Sequence, residues 1–470
     1  MSTSSADQLL ARLLDRDCTL WPPTSVAPNR LGWIDSPIWM KERADELTTW
    51  ASTVVASKVL LLGMGGSSLG PLVLAGRDGR GGKFASGVRS LIVADTTDPS
   101  TIGSLDFDDT IVIISSKSGS TLETEVLFDF ALDRVGDPEQ FVIVTDANSP
   151  LAQRGAELGV SRVFENPSDI GGRFSLFSYF GMVPAALLGY DVSSFCAAAI
   201  ATDLGAAAAL GEGLGIAVGG GQDKLFITSH PDVPRFGLWA EQLIAESTGK
   251  DGTGCIPVPT KSATSSADRF VLSLPFDDAA DLAQAFFGLE VAIAICGSVL
   301  GVDPFNEPNV TESKERTLDR LSGSSTSEIP TIELDAVNDW LKATLGQGSY
   351  LTVQAYVPFE QERDLEELRD QLAARYRPIA VTAGFGPRYL HSTGQLHKGG
   401  PASIVALQVI GERVSSLPIP GRSFDFNTLL AAQADGDYDA LVARNRTVAR
   451  VVVSDVASLL RIVMGSSPWR

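Results

Sequence analysis

Residues 60–71 read LLLGMGGSSLGP: leucines closing a short apolar run, a cluster of glycines, then serines ahead of a second apolar stretch. Such a run is a buried strand feeding a tight turn and the first turn of a helix. Glycine lets backbone amides face a ligand, and a helix start offers unpaired N–H groups to an anion. The stretch half-matches the dinucleotide fingerprint GxGxxG, with Gly63 and Gly65 in place, Ser68 at the third position and Asp95 after the next strand. A purely structural tight turn reads the same way. The stretch therefore settles the kind of fold before it settles the chemistry.

The pattern recurs on either side. Apolar, β-branched runs at Val59–Leu62, Leu91–Ala94, Ile111–Ile114 and Phe141–Thr145 each lead into a turn cluster and a helical stretch. Continuous apolar runs alternating with helices predict a parallel sheet covered on both faces, a doubly wound α/β lobe over 57–190. Ahead of it, residues 1–56 read as polar and helical, with Leu9, Leu10, Leu13 and Leu14 at helical spacing. A second alternation over 191–325 predicts another doubly wound lobe, with strands at Leu225–Ser229, Cys255–Val258 and Phe270–Leu274 and a helix over 236–247. Its long helix, from Ala279 to about Leu300, is apolar nearly all round and is expected to be buried between lobes. Gly323–Glu328 (GSSTSE) is a linker candidate. Beyond it, 326–470 predicts a smaller C-terminal α/β unit with a helical tail, including a strand at Tyr350–Val357, a helix over 360–375, a strand at Pro378–Val381 and a polar loop over 389–401. The fold class expected is thus α/β, with two doubly wound parallel-sheet lobes.

Composition limits the partners. The 470 residues carry a net charge of −20, which argues against a nucleic-acid backbone as ligand. A small anionic substrate then requires a cationic pocket built locally. Cys18, Cys196, Cys255 and Cys296 lie far apart with no CxxC pair. That spacing favours neither structural zinc nor a disulfide framework and fits a reducing, cytoplasmic setting. The N-terminus lacks the basic, apolar and small-residue succession of a signal peptide. The Ala-rich 197–220 stretch is broken by Asp203, Glu212 and glycines, so no membrane span is expected there.

Three further segments carry chemistry. ISSKSGSTLETE (114–125) crowds Ser116, Ser118, Ser120, Thr121 and Thr124 around Gly119, with Lys117 beside them. Many donors in a small turn plus positive potential suit a phosphate; a capping box at the start of a helix reads similarly. DIGGRFSLFS (169–178) places Arg173 after two glycines, where a guanidinium can serve an oxyanion or sit in a surface ion pair. EQLIAESTGKDGTG (241–254) puts Gln242 and Glu246 four apart on one helix face, with Glu246 near the helix end. A carboxylate there opposes the helix dipole, which raises its pKa toward that of a general base; a solvated glutamate is the alternative.

In this order, the four segments resemble phosphoglucose isomerase: its GxGGSxLGP loop, its SK-x(3)-T-x-ET phosphate loop, its GGR segment and its ESxGK segment. The second also resembles the wider sugar isomerase (SIS) family. The resemblance runs from about 57 to 315 and implies two SIS-type lobes and an aldose–ketose isomerase of glucose 6-phosphate and fructose 6-phosphate. It implies Glu246 as the base and Arg173 as the arginine beside the enediol. Ser116, Lys117, Ser118, Thr121 and Thr124 would form the phosphate loop, Gly66 and Ser67 the first loop, and Gln242 the substrate glutamine. It further implies no cofactor and a homodimer; His391 and His397, six apart, also suggest a metal site, but no neighbouring Cys or Asp completes one, so no metal is expected.

Two departures stand out. GVDPFNEPNVTESK (301–314) resembles the family's PFDQ-x-GVE-x-x-K signature with Lys314 on its lysine, but Glu307 replaces glutamine, Asn309 glycine and Thr311 glutamate. A carboxylate at 307 could pair with Lys314 or alter contacts to sugar hydroxyls. The family's ring-opening histidine is also missing between Glu246 and Lys314; the only histidines are His230, His391 and His397. YLHSTGQLHKGGP (389–401) resembles a segment in the isomerase half of fused transaldolase–isomerase proteins, which makes His391 and His397 the ring-opening candidates. Three rival readings share some of these motifs. Another phosphosugar isomerase, for example of mannose 6-phosphate, would share all of them. A non-catalytic sugar-phosphate sensor would not need Glu246. A dinucleotide-dependent oxidoreductase would use only the first loop and Asp95.

Overall fold

The leucines ahead of the first glycine turn form strand β1 (Lys58–Gly63), buried from its second residue on. The structure, a computed structural model, describes residues 4–465 apart from 88, 229, 262–265, 275, 325–327 and 413–415. Strands β2 (Ser90–Ala94), β3 (Thr110–Ser115), β4 (Phe141–Asp146) and β5 (Arg162–Asn166) join β1 in the order β2-β1-β3-β4-β5. Every neighbouring pair is parallel. β3 and β4 are buried along their whole length, as a sheet covered on both faces demands. β5 was not anticipated. It closes one edge of the sheet and is only partly buried, so its sequence, RVFEN, lacks the apolar run that marks a central strand.

Residues 1–95 and 106–306 form one compact unit, and 96–105 with 307–470 a second. Both expected lobes fall largely in the first. The second lobe's sheet is narrow, with β6 (Lys224–Thr228), β7 (Ile256–Thr260) and β8 (Arg269–Leu272) parallel in the order β7-β6-β8. Ser229, expected at the end of β6, lies outside the described residues. The Ala279–Leu300 helix packs on the Val192–Ile200, Leu204–Gly219 and Phe236–Thr248 helices within this unit. The approach is close: a Cβ on Gly211 would lie 2.2 Å from the Ala292 carbonyl oxygen. Trp239 meets Phe286 edge to face, centroids 4.5 Å apart. The helix is long and apolar enough to cross a bilayer, a test that the buried core helix of a soluble protein also passes.

In the second unit β9 (Tyr350–Tyr356), β10 (Ala380–Phe385), β11 (Ile404–Gly411) and β12 (Thr447–Val453) form a parallel sheet ordered β10-β9-β11-β12. β11 and β12 extend the C-terminal unit beyond the strands expected there. The 389–401 segment is not a polar loop. It forms a 3-10 turn (Arg388–His391) and a short helix (Gly394–Gly399) whose residues are buried. Its polar groups find partners distant in sequence: Lys398 Nζ lies 2.6 Å from Asp437 Oδ1, and Tyr389 donates to Asp437 Oδ2 at 2.7 Å. Within the linker candidate, residues 325–327 lie outside the described residues.

One core residue goes against its surroundings. Glu290, midway along the Ala279–Leu300 helix, is fully buried, and neither carboxyl oxygen has a hydrogen-bond partner. Burial pushes its pKa well above the usual carboxylate range, so the folded protein holds it neutral. The unfolded chain ionises this group at ordinary pH and the folded chain does not, so its contribution to stability falls as pH rises past about 4.3, the free-glutamate value. We expect Glu290→Gln to raise the unfolding midpoint relative to the parent at pH 8 and to leave it nearly unchanged near pH 4. Urea titrations at both pH values check this; a gain that does not grow with pH contradicts a neutral, buried Glu290.

Candidate active site

The order β2-β1-β3-β4-β5 reverses direction between β1 and β3, and ligands of open α/β sheets sit beyond the carboxyl ends of the strands at such a point. The turns leaving these two strands are the glycine loop and the hydroxyl loop. They start side by side, with Gly63 in register with Ser115, where a Cβ on Gly63 would lie 2.6 Å from the Ser115 carbonyl oxygen.

After β1, Gly65–Ser67 makes a 3-10 turn that leads into a helix at Leu69. This turn presses against the Gly172–Phe174 turn so closely that a Cβ on Gly66 would stand 2.0 Å from the Gly172 carbonyl oxygen. Ser67 is buried beside it. Ser68 Oγ lies 3.1 Å from Asp95 Oδ2, and both residues are fully buried. The carboxylate that a dinucleotide reading needs at a ribose is therefore folded under the loop.

The Phe236–Thr248 helix touches both turns and carries Gln242 and Glu246. Arg173 Nε lies 3.1 Å from Glu246 Oε2, and Gln242 Nε2 donates to the same oxygen at 3.3 Å. Arg173 also donates to the carbonyl oxygens of Pro304, at 3.0 Å, and Asn306, at 3.2 Å. Arg173 and Glu246 are 5% and 6% exposed, which removes both the surface ion pair and the solvated glutamate as readings. The pair sets a guanidinium directly against a carboxylate, the group able to accept a proton. Lys250 of the same segment is buried, with its ammonium on the Asp303 carbonyl oxygen.

The hydroxyl loop leaves β3 and enters the Leu122–Val135 helix. Thr121 occupies the N-cap position but makes no side-chain capping bond, so the capping reading does not account for its hydroxyl. Ser116 Oγ accepts from Gly119 N at 3.2 Å and lies 3.4 Å from Thr121 Oγ1. Gly119 has φ of +67°, and a Cβ there would come within 2.8 Å of Leu151 N. Ser118 is exposed. Thr124 is 2% exposed, its Oγ1 has no hydrogen-bond partner, and with Ser116 and Thr121 it lines a cleft. Lys117 does not supply the expected free positive charge: its ammonium pairs with Asp146 and donates to Ser168 O at 3.0 Å. The cation on this cleft is Arg154, which the sequence reading missed. It sits 2.6 Å from Asp129 Oδ1 and stacks 4.3 Å above Phe128. It lies on the Pro150–Leu158 helix that follows β4, the strand beside β3, so only the tertiary fold brings it to the loop.

The remaining candidates belong to the second unit. Glu307 stands exposed at the N-cap of the Pro308–Leu321 helix, and Lys314 is exposed two turns along it. Asn309, the residue that replaces glycine, is clamped by Gln395: its N–H donates to Gln395 Oε1 at 2.9 Å, and its Oδ1 accepts from Gln395 Nε2 at 2.8 Å. The 301–314 and 389–401 motifs are therefore joined by a direct side-chain contact. His391 is partly exposed. His397 is 1% exposed, with Nδ1 3.1 Å from Gln354 Nε2. Burial, aided by Lys398 and Arg446, holds its pKa well below the usual histidine range. It is a neutral core residue, sealed from any ligand. Among the described residues no three His, Cys, Asp or Glu side chains are grouped to hold a metal ion.

Together the parallel sheet, its switch point and the hydroxyl-rich loop define an α/β protein with a ligand crevice at the reversal of strand order. The sequence model of the phosphoglucose isomerase family matches residues 40–212, which contain both loops and Arg173 and end before Glu246. A glucose-6-phosphate isomerase of Campylobacter jejuni is 37% identical over 145 residues, 29% of this chain and 35% of that protein. A probable glucose-6-phosphate isomerase of Haloarcula marismortui is 25% identical over 59% of this chain and 81% of its own length. The crystal structure of a glucose-6-phosphate isomerase from Chlamydia trachomatis superposes with a TM-score of 0.49 at 18% identity, covering 71% of this chain and 80% of that one. Over residues 40–212 the chain is similar to the phosphoglucose isomerase family, and it spans about a third of the length of the Campylobacter jejuni relative.

The contact between the two glycine turns is testable apart from any activity. Gly66→Ala should lower stability by about 1–3 kcal/mol, as overpacking does, because its methyl would collide with backbone. Gly171→Ala, whose Cβ would meet nothing closer than 3.8 Å, should be nearly neutral. Equal effects in denaturant titrations would contradict the close approach.

Proposed function

We propose that the chain interconverts glucose 6-phosphate and fructose 6-phosphate through a cis-enediol. The observation that carries this reading is the buried Arg173–Glu246 contact, 3.1 Å long, beside the glycine turn that opens the sheet's switch point. Glu246 accepts the carbon-bound proton at C2 and returns it at C1. Arg173 is the group nearest that carboxylate, and it stabilises negative charge on the enediolate oxygens. Ser116, Ser118, Thr121 and Thr124 take the phosphate, so that binding energy remote from the reacting carbons positions them against the base. The names of the relatives, glucose-6-phosphate isomerase and probable glucose-6-phosphate isomerase, support glucose 6-phosphate as one of the two sugars.

Ring opening needs a group that exchanges protons near neutral pH. Of the two C-terminal histidines His391 reaches solvent and His397 does not, so the step is assigned to His391 with the exposed Lys314. The chemistry moves protons within one substrate and calls for no cofactor. We further propose a homodimer in the cytoplasm. The four cysteines, all free, accord with a reducing compartment.

Two measurements test the reading. The purified chain should form glucose 6-phosphate from fructose 6-phosphate in a coupled assay, and turn over mannose 6-phosphate more slowly; no turnover of fructose 6-phosphate would overturn it. The Ser118→Ala, Thr121→Ala double variant should raise KM for fructose 6-phosphate at least tenfold while barely changing affinity for unphosphorylated fructose. Equal losses for both sugars would move the phosphate elsewhere.

A further inference from the structure

The second unit repeats the geometry that creates a ligand site in the first. Its chain enters at β9, steps outward to β10, then crosses to β11 on the opposite side, so the order β10-β9-β11-β12 reverses between β9 and β11. That crevice, beyond the carboxyl ends of the strands, is where open α/β sheets hold ligands. Tyr356 and Ile410 are paired neighbours at the strand ends, and a cleft opens directly beyond them. The proposed isomerase chemistry uses neither residue.

The walls of this cleft are apolar and fixed. Tyr356, Ile410 and Leu430 are 2%, 8% and 4% exposed. The Tyr356 hydroxyl is 2.9 Å from that of Tyr389, which in turn bonds the buried Asp437. The aromatic wall is thus held in place before any ligand arrives. The polar groups at the mouth are acidic or neutral: Asp98, Ser100 and Glu412 line it, and among its described residues there is no Lys, Arg or His. Asp98 is 5% exposed, with Oδ1 accepting from Thr101 N at 2.9 Å. Burial raises its pKa, and the charge of Glu360 adds to the effect, so this end of the cleft gains from an arriving positive charge. A phosphate or carboxylate ligand would meet the charges of Asp98 and Glu412 here. A protonated amine would pair with Asp98, meet Glu412 at the rim and lie beside Tyr356.

We propose that this cleft is a second ligand site, specific for a small organic amine in its protonated form, with its apolar body on the Tyr356–Leu430 wall and its ammonium toward Asp98 and Glu412. The site stands independently of the isomerase reading, since none of its residues serves that chemistry.

A matched trio of probes tests it: cyclohexylamine, cyclohexanol and cyclohexanecarboxylate, titrated calorimetrically into the full chain at pH 7.5. Cyclohexylamine should bind at least tenfold more tightly than cyclohexanol, with no binding of the carboxylate, and should weaken as salt is added. Asp98→Asn keeps a residue able to cap the following helix and should cost the amine at least tenfold. Glu412→Gln changes an exposed rim group, so it leaves the fold intact and should cost about threefold. Equal binding of the amine and the alcohol, any binding of the carboxylate, or an amine affinity unchanged in Glu412→Gln would overturn the proposal.

Discussion

A buried guanidinium must be surrounded by acceptors, and Arg173 meets this demand with one carboxylate and two backbone carbonyls. Three segments far apart in sequence are thereby tied together: the glycine turn that holds Arg173, the helix that presents Glu246, and the chain leading to Asn306. Removing either charge would strand the other in a desolvated setting, so the pair fixes geometry. The close backbone approach of Gly66 to Gly172 adds the sheet's first loop to the same assembly. The proposed base, its charge-stabilising partner and the loop at the switch point are therefore one packed object.

The same topological rule operates twice along this chain. In the first unit the strand order reverses between β1 and β3, and the loops at that reversal are rich in glycine and hydroxyls, with Arg154 on the cleft. In the second unit the reversal falls between β9 and β11, where the loops bring carboxylates and apolar side chains. Backbone topology sets where a ligand can sit; the side chains decide its charge. An anion suits the first crevice and a cation the second.

Much of this was legible in the sequence because the chemistry of the first unit lies in local motifs. Apolar runs followed by glycines revealed β1 and β3, and spacing placed Gln242 and Glu246 on one face before any contact was known. What was missed depends on distant partners. Lys398, Gln395 and His397 look like loop residues among glycines, and they are buried only because Asp437, Asn309 and Gln354 come from elsewhere to meet them. Lys117 looked like the phosphate's cation, yet Asp146 claims it and Arg154 takes the place on the cleft. β5 is an edge strand with Glu165 exposed, and the edge strand β12 is interrupted by Arg450, so neither carries the unbroken apolar run of a central strand. β11, by contrast, is just such a run, and its sequence, IVALQVIG, was readable.

We propose that the carboxylate of Glu246 carries the proton between the two carbons. This is tested most directly by following solvent deuterium into the carbon-bound positions of fructose 6-phosphate and glucose 6-phosphate, for the parent and for Glu246→Gln. The amide preserves shape and an acceptor oxygen for Arg173, though not the charge, and cannot take a carbon-bound proton. The account predicts that exchange and turnover fall together by about 10²–10⁴, the usual cost of losing a general base, while sugar-phosphate affinity stays within a few-fold. A variant that keeps more than about a tenth of the parent's exchange rate, where that loss is expected, would show that another group carries the proton.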